Sequence, residues 1–176
     1  KWLLMKSATI SASTLKNYTN TVNKYIVAPL GNMYLSEVTT DDLLLALAPV
    51  SNMSKHMYDQ VNMLLKCIFA SAENNHLIDY NPTVKVPASG GKPAAKKEVL
   101  TDEQMKVLLD AVRGLPPYPF IMIGLYSGLR REEILALLWD CVFLDAPTPY
   151  ISVKRAWRTP NGKAEISTVL KSKAAR

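Results

Sequence analysis

The sequence predicts a mainly α protein in two parts: an all-helical domain to about residue 80, then a second domain that mixes helices with a β-hairpin. Three observations carry this expectation. Apolar residues recur at three- and four-residue spacing through the first 80 residues. The composition then breaks at "NPTVKVPASGGKPAAKKEV", where three prolines, two adjacent glycines and four lysines disfavour both helix and central strand. After Asp145 the texture changes to "PYISVKRAW", "PNG" and "KAEISTVLKSK", two β-rich runs around a turn. The expected division is a helical domain over 1–81, a basic linker over 82–99 and a mixed α+β domain over 100–176.

The first helix is expected in "STLKNYTNTVNKYI", with Leu15, Tyr18, Val22, Tyr25 and Ile26 on one face, Ser13 as cap, and Pro29 and Gly31 as its end. "VTTDDLLLALAPV" offers Thr39 or Thr40 as a cap, acids in the first turn and Pro49 as a stop. A long stripe of Met57, Val61, Leu64, Leu65, Ile68 and Ala72 follows. These Met and aromatic positions read as core rather than as a cofactor box. Past the linker, Thr101 and Gln104 match a capping box, with Met105, Leu108, Leu109 and Val112 as the buried stripe and Gly114, Pro116 and Pro117 as the stop. "PFIMIGLYSG" reads as a second, buried apolar helix.

Composition narrows the function. The chain has 176 residues, 48% of them hydrophobic, ample for a core. No apolar run approaches the ~20 residues of a membrane span, so a soluble, cytoplasmic protein is expected. Cys67, Cys141, His56 and His76 stand without partners at metal-ligand spacing, so neither a metal nor another cofactor is expected. Net charge is +6, distributed as 0 over residues 1–80, +3 over 81–99 and +3 over 100–176. Clustered lysine and arginine suit a polyanion, because each phosphate contacted releases counterions. A solvated surface with an incidental basic excess explains the same distribution equally well. On the first reading the candidate contacts are Lys92, Lys96 and Lys97 in the linker and Lys154, Arg155, Arg158, Lys173 and Arg176 near the end.

The stretch "LYSGLRREEILALLWDCVFLD", residues 125–145, holds the densest constellation. Gly128 permits a sharp turn between two helices. Arg130 and Glu133, three residues apart, are neighbours on one helical face, while Ile134, Leu137, Leu138 and Cys141 point largely toward a core. Arg131 lies about 100° around the helix from Arg130. Two readings stand side by side. One is a solvated first turn in which acids favour the helix start and Arg130 merely pairs with Glu133. The other is a phosphate clamp, a guanidinium whose rotamer Glu133 fixes.

The same stretch resembles the first catalytic arginine motif of the tyrosine recombinases, the phage and transposon integrase family. In that motif Thr/Ser-Gly-Leu-Arg is followed by an acid three residues after the arginine, then by an apolar helix and Trp. "STLKNYTNTVNKYIVAPLGNMYLSEVTTDDL" resembles the family's SAM-like helical core-binding domain, "LIDYNPTVKVP" its exit, and "VLTDEQMKVLLDAV" the first helix of its catalytic domain. "VLKSKAAR" is similar to the site of the family's strand-borne lysine, which puts Lys171 in that place, although Ser172 stands where Thr is more usual.

The resemblance implies site-specific cleavage and rejoining of double-stranded DNA through a 3′-phosphotyrosyl link, with self-association on DNA and without metal. Arg130 would bind the non-bridging oxygens, supported by Glu133, and Lys171 would protonate the leaving 5′ oxygen. Both domains would contact the duplex, with the linker crossing it. Beyond Arg176 the family carries His-x-x-Arg, a further His or Trp, and the nucleophilic Tyr. The eight tyrosines here read as core or interface instead. The chain starts at Lys1 and stops inside a basic run, so a fragment of a bacterial or phage-encoded, nucleoid-associated enzyme is expected, inactive by itself. The alternative is a basic helical DNA-binding regulator with no catalytic ancestry.

Overall fold

In the computed structural model, which describes residues 1–168 and Leu170, the amphipathic helices of the first half close on one another around their apolar stripes. The chain divides into two compact units, Lys1–Lys97 and Glu98–Arg176. The first unit comprises α1 (Trp2–Ser7), α2 (Ala12–Val22), a π-helical turn (Asn23–Val27), α3 (Ala28–Leu30), α4 (Thr40–Ser51) and α5 (Lys55–Asn74). Residues 54–75 contain no strand, as the long stripe requires.

Several boundaries differ from expectation for physical reasons. Ser11, not Ser13, caps α2: its backbone is extended and its hydroxyl accepts from the Thr14 amide at 3.3 Å. Pro29 does not end the helical path. A π turn precedes it, with the Ala28 amide bonded to the Asn23 carbonyl, and this wider turn makes room for a ring that would otherwise clash with the preceding turn. Pro49 likewise lies inside α4, on its exposed face, where water can serve the carbonyl that a proline leaves unpaired. Thr39 is the cap of α4, in a full capping box with Asp42.

The buried face of α5 is Tyr58, Val61, Leu64, Leu65, Phe69 and Ala72, so the stripe is rotated from the expected one and leaves Met57 and Ile68 at its margin. Residues 82–86, which the sequence presents as the start of an extended linker, enter this core. Pro82–Lys85 is a 3-10 turn with Asn81 as its cap, and Pro82, Thr83 and Val86 are buried. Residues 92–100 are exposed throughout.

The second unit begins with α6 (Asp102–Val112), capped by Thr101 and Gln104 as expected, and α7 (Tyr118–Ser127). Neither helix buries a residue fully; Met105, Leu108, Leu109 and Val112 are half-exposed, as are Ile121, Met122, Ile123 and Leu125. The expectation that α7 is buried is therefore corrected: it is apolar on all sides but covered on only part of its surface. α8 (Arg131–Leu135) packs against the strand β3 (Ala156–Arg158).

Among the described residues there are two separate two-stranded sheets, not one hairpin alone. β1 (Val142–Phe143) pairs antiparallel with β2 (Tyr150–Ile151), and β3 pairs with β4 (Glu165–Ser167) in the register Ala156↔Ser167, Trp157↔Ile166, Arg158↔Glu165. The second pair is the expected hairpin, turned through Pro160–Gly162 with Gly162 at φ 78°. The first pair is not apparent in the sequence, because "PYISVKRAW" reads as one strand whereas its Tyr150 and Ile151 fold back on Val142 and Phe143. There the Phe143 and Tyr150 rings stack 4.6 Å apart.

Candidate functional site

Arg130 is held by local chain geometry. α7 ends at Gly128, which adopts φ 63° and ψ 16°, the left-handed conformation expected at this turn. Arg130 then stands in extended conformation as the N-cap of α8 rather than within it. Glu133 reaches back from the third helical position and accepts two bonds, from the Arg130 backbone N–H and from its guanidinium Nη1, both at 2.9 Å. The carboxylate is 6% exposed and the guanidinium side chain 39%. A buried acid therefore fixes one edge of a guanidinium fork while much of the side chain still meets solvent.

Arg131 turns elsewhere. It bonds Glu132 at 2.8 and 3.2 Å on the exposed surface, as its different direction around the helix demands. The apolar positions that follow divide. Ile134 and Cys141 are buried, but Leu138, expected in the core, is exposed. α8 stops at Leu135, so the helical register that would have carried Leu138 inward is lost.

Arg155 makes a pairing that sequence reading did not supply. Its Nη1 and Nη2 donate to Asp140 Oδ1 and Oδ2 at 2.9 and 2.7 Å, a bidentate fork, and Nη1 lies 3.6 Å from Cys141 Sγ. The Arg155 guanidinium, with help from the Cys141 thiol, holds the Asp140 carboxyl well below the usual carboxylate range. Fifteen residues separate the partners, so no local spacing announces the pair; an acid beside Trp139 and an arginine ahead of a strand are the only signals. Ser152 donates its amide to the Cys141 carbonyl at 2.8 Å, tying the same two segments. A shallow cleft here is lined by Glu133, Cys141, Lys154 and Arg155, among others, and so brings together residues expected at the arginine motif and at the basic hairpin.

The remaining candidates are scattered. Lys154 lies 5.8 Å over the Phe143 ring and is exposed. Arg158 sits on β3 opposite Glu165. Lys92, Lys96 and Lys97 are exposed in the first unit. Lys171, Lys173 and Arg176 lie outside the described residues. Of the tyrosines, Tyr58 is core and Tyr18 and Tyr25 pack against it, while Tyr34, Tyr80, Tyr126 and Tyr150 are exposed. No helix among the described residues is long and apolar enough to cross a membrane.

Comparison with known proteins follows the same lines. The phage integrase central domain family matches residues 1–88. An integrase of Streptomyces ambofaciens is 27% identical over 165 residues, covering 89% of this chain and 42% of the relative. Among solved structures, the Tn1549 transposon integrase in complex with a circular intermediate DNA superposes with a TM-score of 0.77 at 17% identity, covering 98% of this chain and 57% of that one. A lambda integrase dimer bound to a COC' core site gives 0.70 at 18% identity, with 94% and 60% covered. The chain thus spans less than two thirds of the length of each of these relatives.

Proposed function

The chain belongs to the phage integrase family of tyrosine recombinases, and on that basis we propose that it is the DNA-binding and phosphate-clamping portion of a site-specific recombinase. The observation that carries this reading is the Arg130–Glu133 arrangement: a guanidinium oriented by a buried carboxylate, with exposed surface left to meet a ligand. A planar fork can hold two non-bridging oxygens of one phosphodiester as they gain charge, whereas an ammonium would act as a point charge. Lys171 would serve as the general acid for the leaving 5′ oxygen, and the attacking tyrosine would come from beyond Arg176. The partner is double-stranded DNA at a specific recombination site, bound by a self-associating protein. The solved DNA complexes of integrases with this fold, one of them a dimer, support both statements.

Binding of this chain to duplex DNA, titrated over salt, tests the proposal. Arg130→Ala should lower the slope of log K against log salt by about 0.9, the value of one phosphate contact. An unchanged slope would remove Arg130 from the interface. With a nicked suicide DNA substrate the chain should give no denaturation-resistant band. A band would make one of the eight tyrosines present the nucleophile and overturn the assignment. In a longer chain that carries the nucleophile, Arg130→Lys should leave folding intact and reduce cleavage severely, while Arg131→Lys should matter less.

A further inference from the structure

We infer that residues 87–92 form a strap bound to α5, which makes Lys92 a fixed DNA-contact residue and leaves only residues 93–100 as a free tether; the inference rests on the DNA-binding reading above. The strap is held at both ends by hydrogen bonds. At one end Asn62, 3% exposed within α5, donates its Nδ2 to the Pro87 carbonyl at 2.7 Å and lies 3.5 Å from that of Ala88. Its Oδ1 has no partner among the described residues, so the amide's bonding is committed to the strap.

At the other end Lys92 forms a parallel bridge with Ser54. Its amide donates to the Met53 carbonyl at 2.7 Å, and its carbonyl accepts from the Lys55 amide at 2.7 Å. The Lys55 amide opens α5 and is one of the donors that a helix start leaves without an internal partner, so the strap completes the cap that Ser54 begins.

Two glycines permit this close approach. A Cβ on Gly90 would stand 2.7 Å from Cε2 and Cζ of the buried Tyr58 ring. Gly91 is at φ 78°, and a Cβ there would meet the Lys55 backbone at 3.0 Å. The adjacent glycines that read as linker flexibility in the sequence therefore serve close packing.

The consequence lies in reach. A tether over 82–100 could extend about 65 Å, while Pro93 to Leu100 extends about 27 Å. That is less than the ~34 Å of one duplex turn. Lys92 is thus set by α5, and Lys96 and Lys97 must find phosphates of the same turn.

Hydrogen exchange with residue resolution, paired with salt titration on a labelled duplex of arbitrary sequence, tests this on the chain itself. The amides of Lys92 and Lys55 should exchange far more slowly than that of Ala95. Gly91→Ala should speed both at least tenfold without changing Leu64 in the middle of α5, which shows that the unit remains folded. DNA affinity should fall about threefold to tenfold, the cost of ordering a freed segment, with an unchanged salt slope because every lysine remains. Lys92→Ala should instead lower the slope by about 0.9. Asn62→Ala provides an independent release of the other end and should speed exchange at Lys92 and Lys55 in the same way. Equal exchange at Lys92 and Ala95 in the unaltered chain would overturn the strap whatever happens to DNA binding. Protection lost without a change in affinity would overturn its role in placing Lys92. Failure of the unaltered chain to bind DNA while protection persists would overturn the DNA-binding reading and the use of the strap with it.

Discussion

The two units of this chain are stabilised in different ways. Every buried member of the main hydrophobic cluster, from Val22 to Val86, belongs to the first unit, where Leu43, Val50, Val61, Leu64 and Leu65 are wholly inaccessible. Among the described residues of the second unit the buried apolar ones are Ile134, Ala136, Cys141 and Ala156, and Trp139 is 83% exposed. What stands out there is the directed arrangement of polar groups and turns: a capping box at Thr101, a left-handed glycine at Gly128, and the forks Arg130–Glu133 and Arg155–Asp140. Non-directional burial holds a shape, whereas directed hydrogen bonds hold particular atoms. The candidate phosphate-binding group is accordingly found in the unit with the smaller core.

Shortening a packed side chain in each unit should give the largest effects. Phe69→Ala should cost about 3–5 kcal/mol in urea unfolding, since a fully packed ring leaves a cavity. Leu125→Ala on half-covered α7 should cost about 1–2 kcal/mol, in proportion to the area it removes from water. Comparable losses would mean that the units do not differ. Next in size is Glu133→Ala, expected to cost about 1–3 kcal/mol because the Arg130 backbone N–H loses its acceptor. Thermal unfolding should register that loss, and the salt slope of DNA binding should change with it as the guanidinium loses its fixed orientation.

Smaller effects sharpen the contrast by crossing it. Thr39→Ala and Thr101→Ala remove equivalent caps from the two units, so each should destabilise by about 1 kcal/mol despite the difference in core. Unequal costs, read from the same denaturation series, would show that tertiary packing modulates the caps. The smallest expected effect belongs to Asp140→Asn. The carboxyl's folded pKa is depressed, so its contribution is present above its unfolded value of ~4 and is lost as pH falls through the folded one. The stability gap between the unaltered chain and Asp140→Asn should therefore be constant near neutrality and narrow below pH ~4. A gap that widens on acidification would contradict the Arg155 pairing.

Legibility follows the range of the interactions. The capping box at Thr101 pairs residues three apart and can be read directly because a helix turn imposes that spacing, whereas before α4 the sequence offers Thr39 and Thr40 alike and only the fold selects Thr39. The Arg130–Glu133 pair and the Gly128 turn belong to the same class. The Arg155–Asp140 fork, the folding back of Tyr150 and Ile151 on Val142 and Phe143, and the burial of Pro82, Thr83 and Val86 all join residues without local periodicity, and none is apparent in the sequence. Prolines mislead at Pro29 and Pro49 because their cost depends on whether the turn can widen or the orphaned carbonyl can reach water. Neither condition is written in the residue itself.

The helical character of the first unit, the capping box at Thr101, the glycine turn and the Arg130–Glu133 pairing thus follow from residue order alone, and the motifs in succession point to the integrase family that comparison established. These are properties of neighbours along the chain, governed by helical period and backbone sterics. Three features had to await the packed molecule: "GGK" packs against α5 instead of hinging, Arg155 serves Asp140, and α7 keeps much of its apolar surface uncovered. Each of these depends on which surfaces meet after the local elements have formed. A glycine pair reads alike whether it hinges or packs, an arginine alike whether it meets a phosphate or a carboxylate, and partners far apart in sequence are brought together only by the packing of the whole unit.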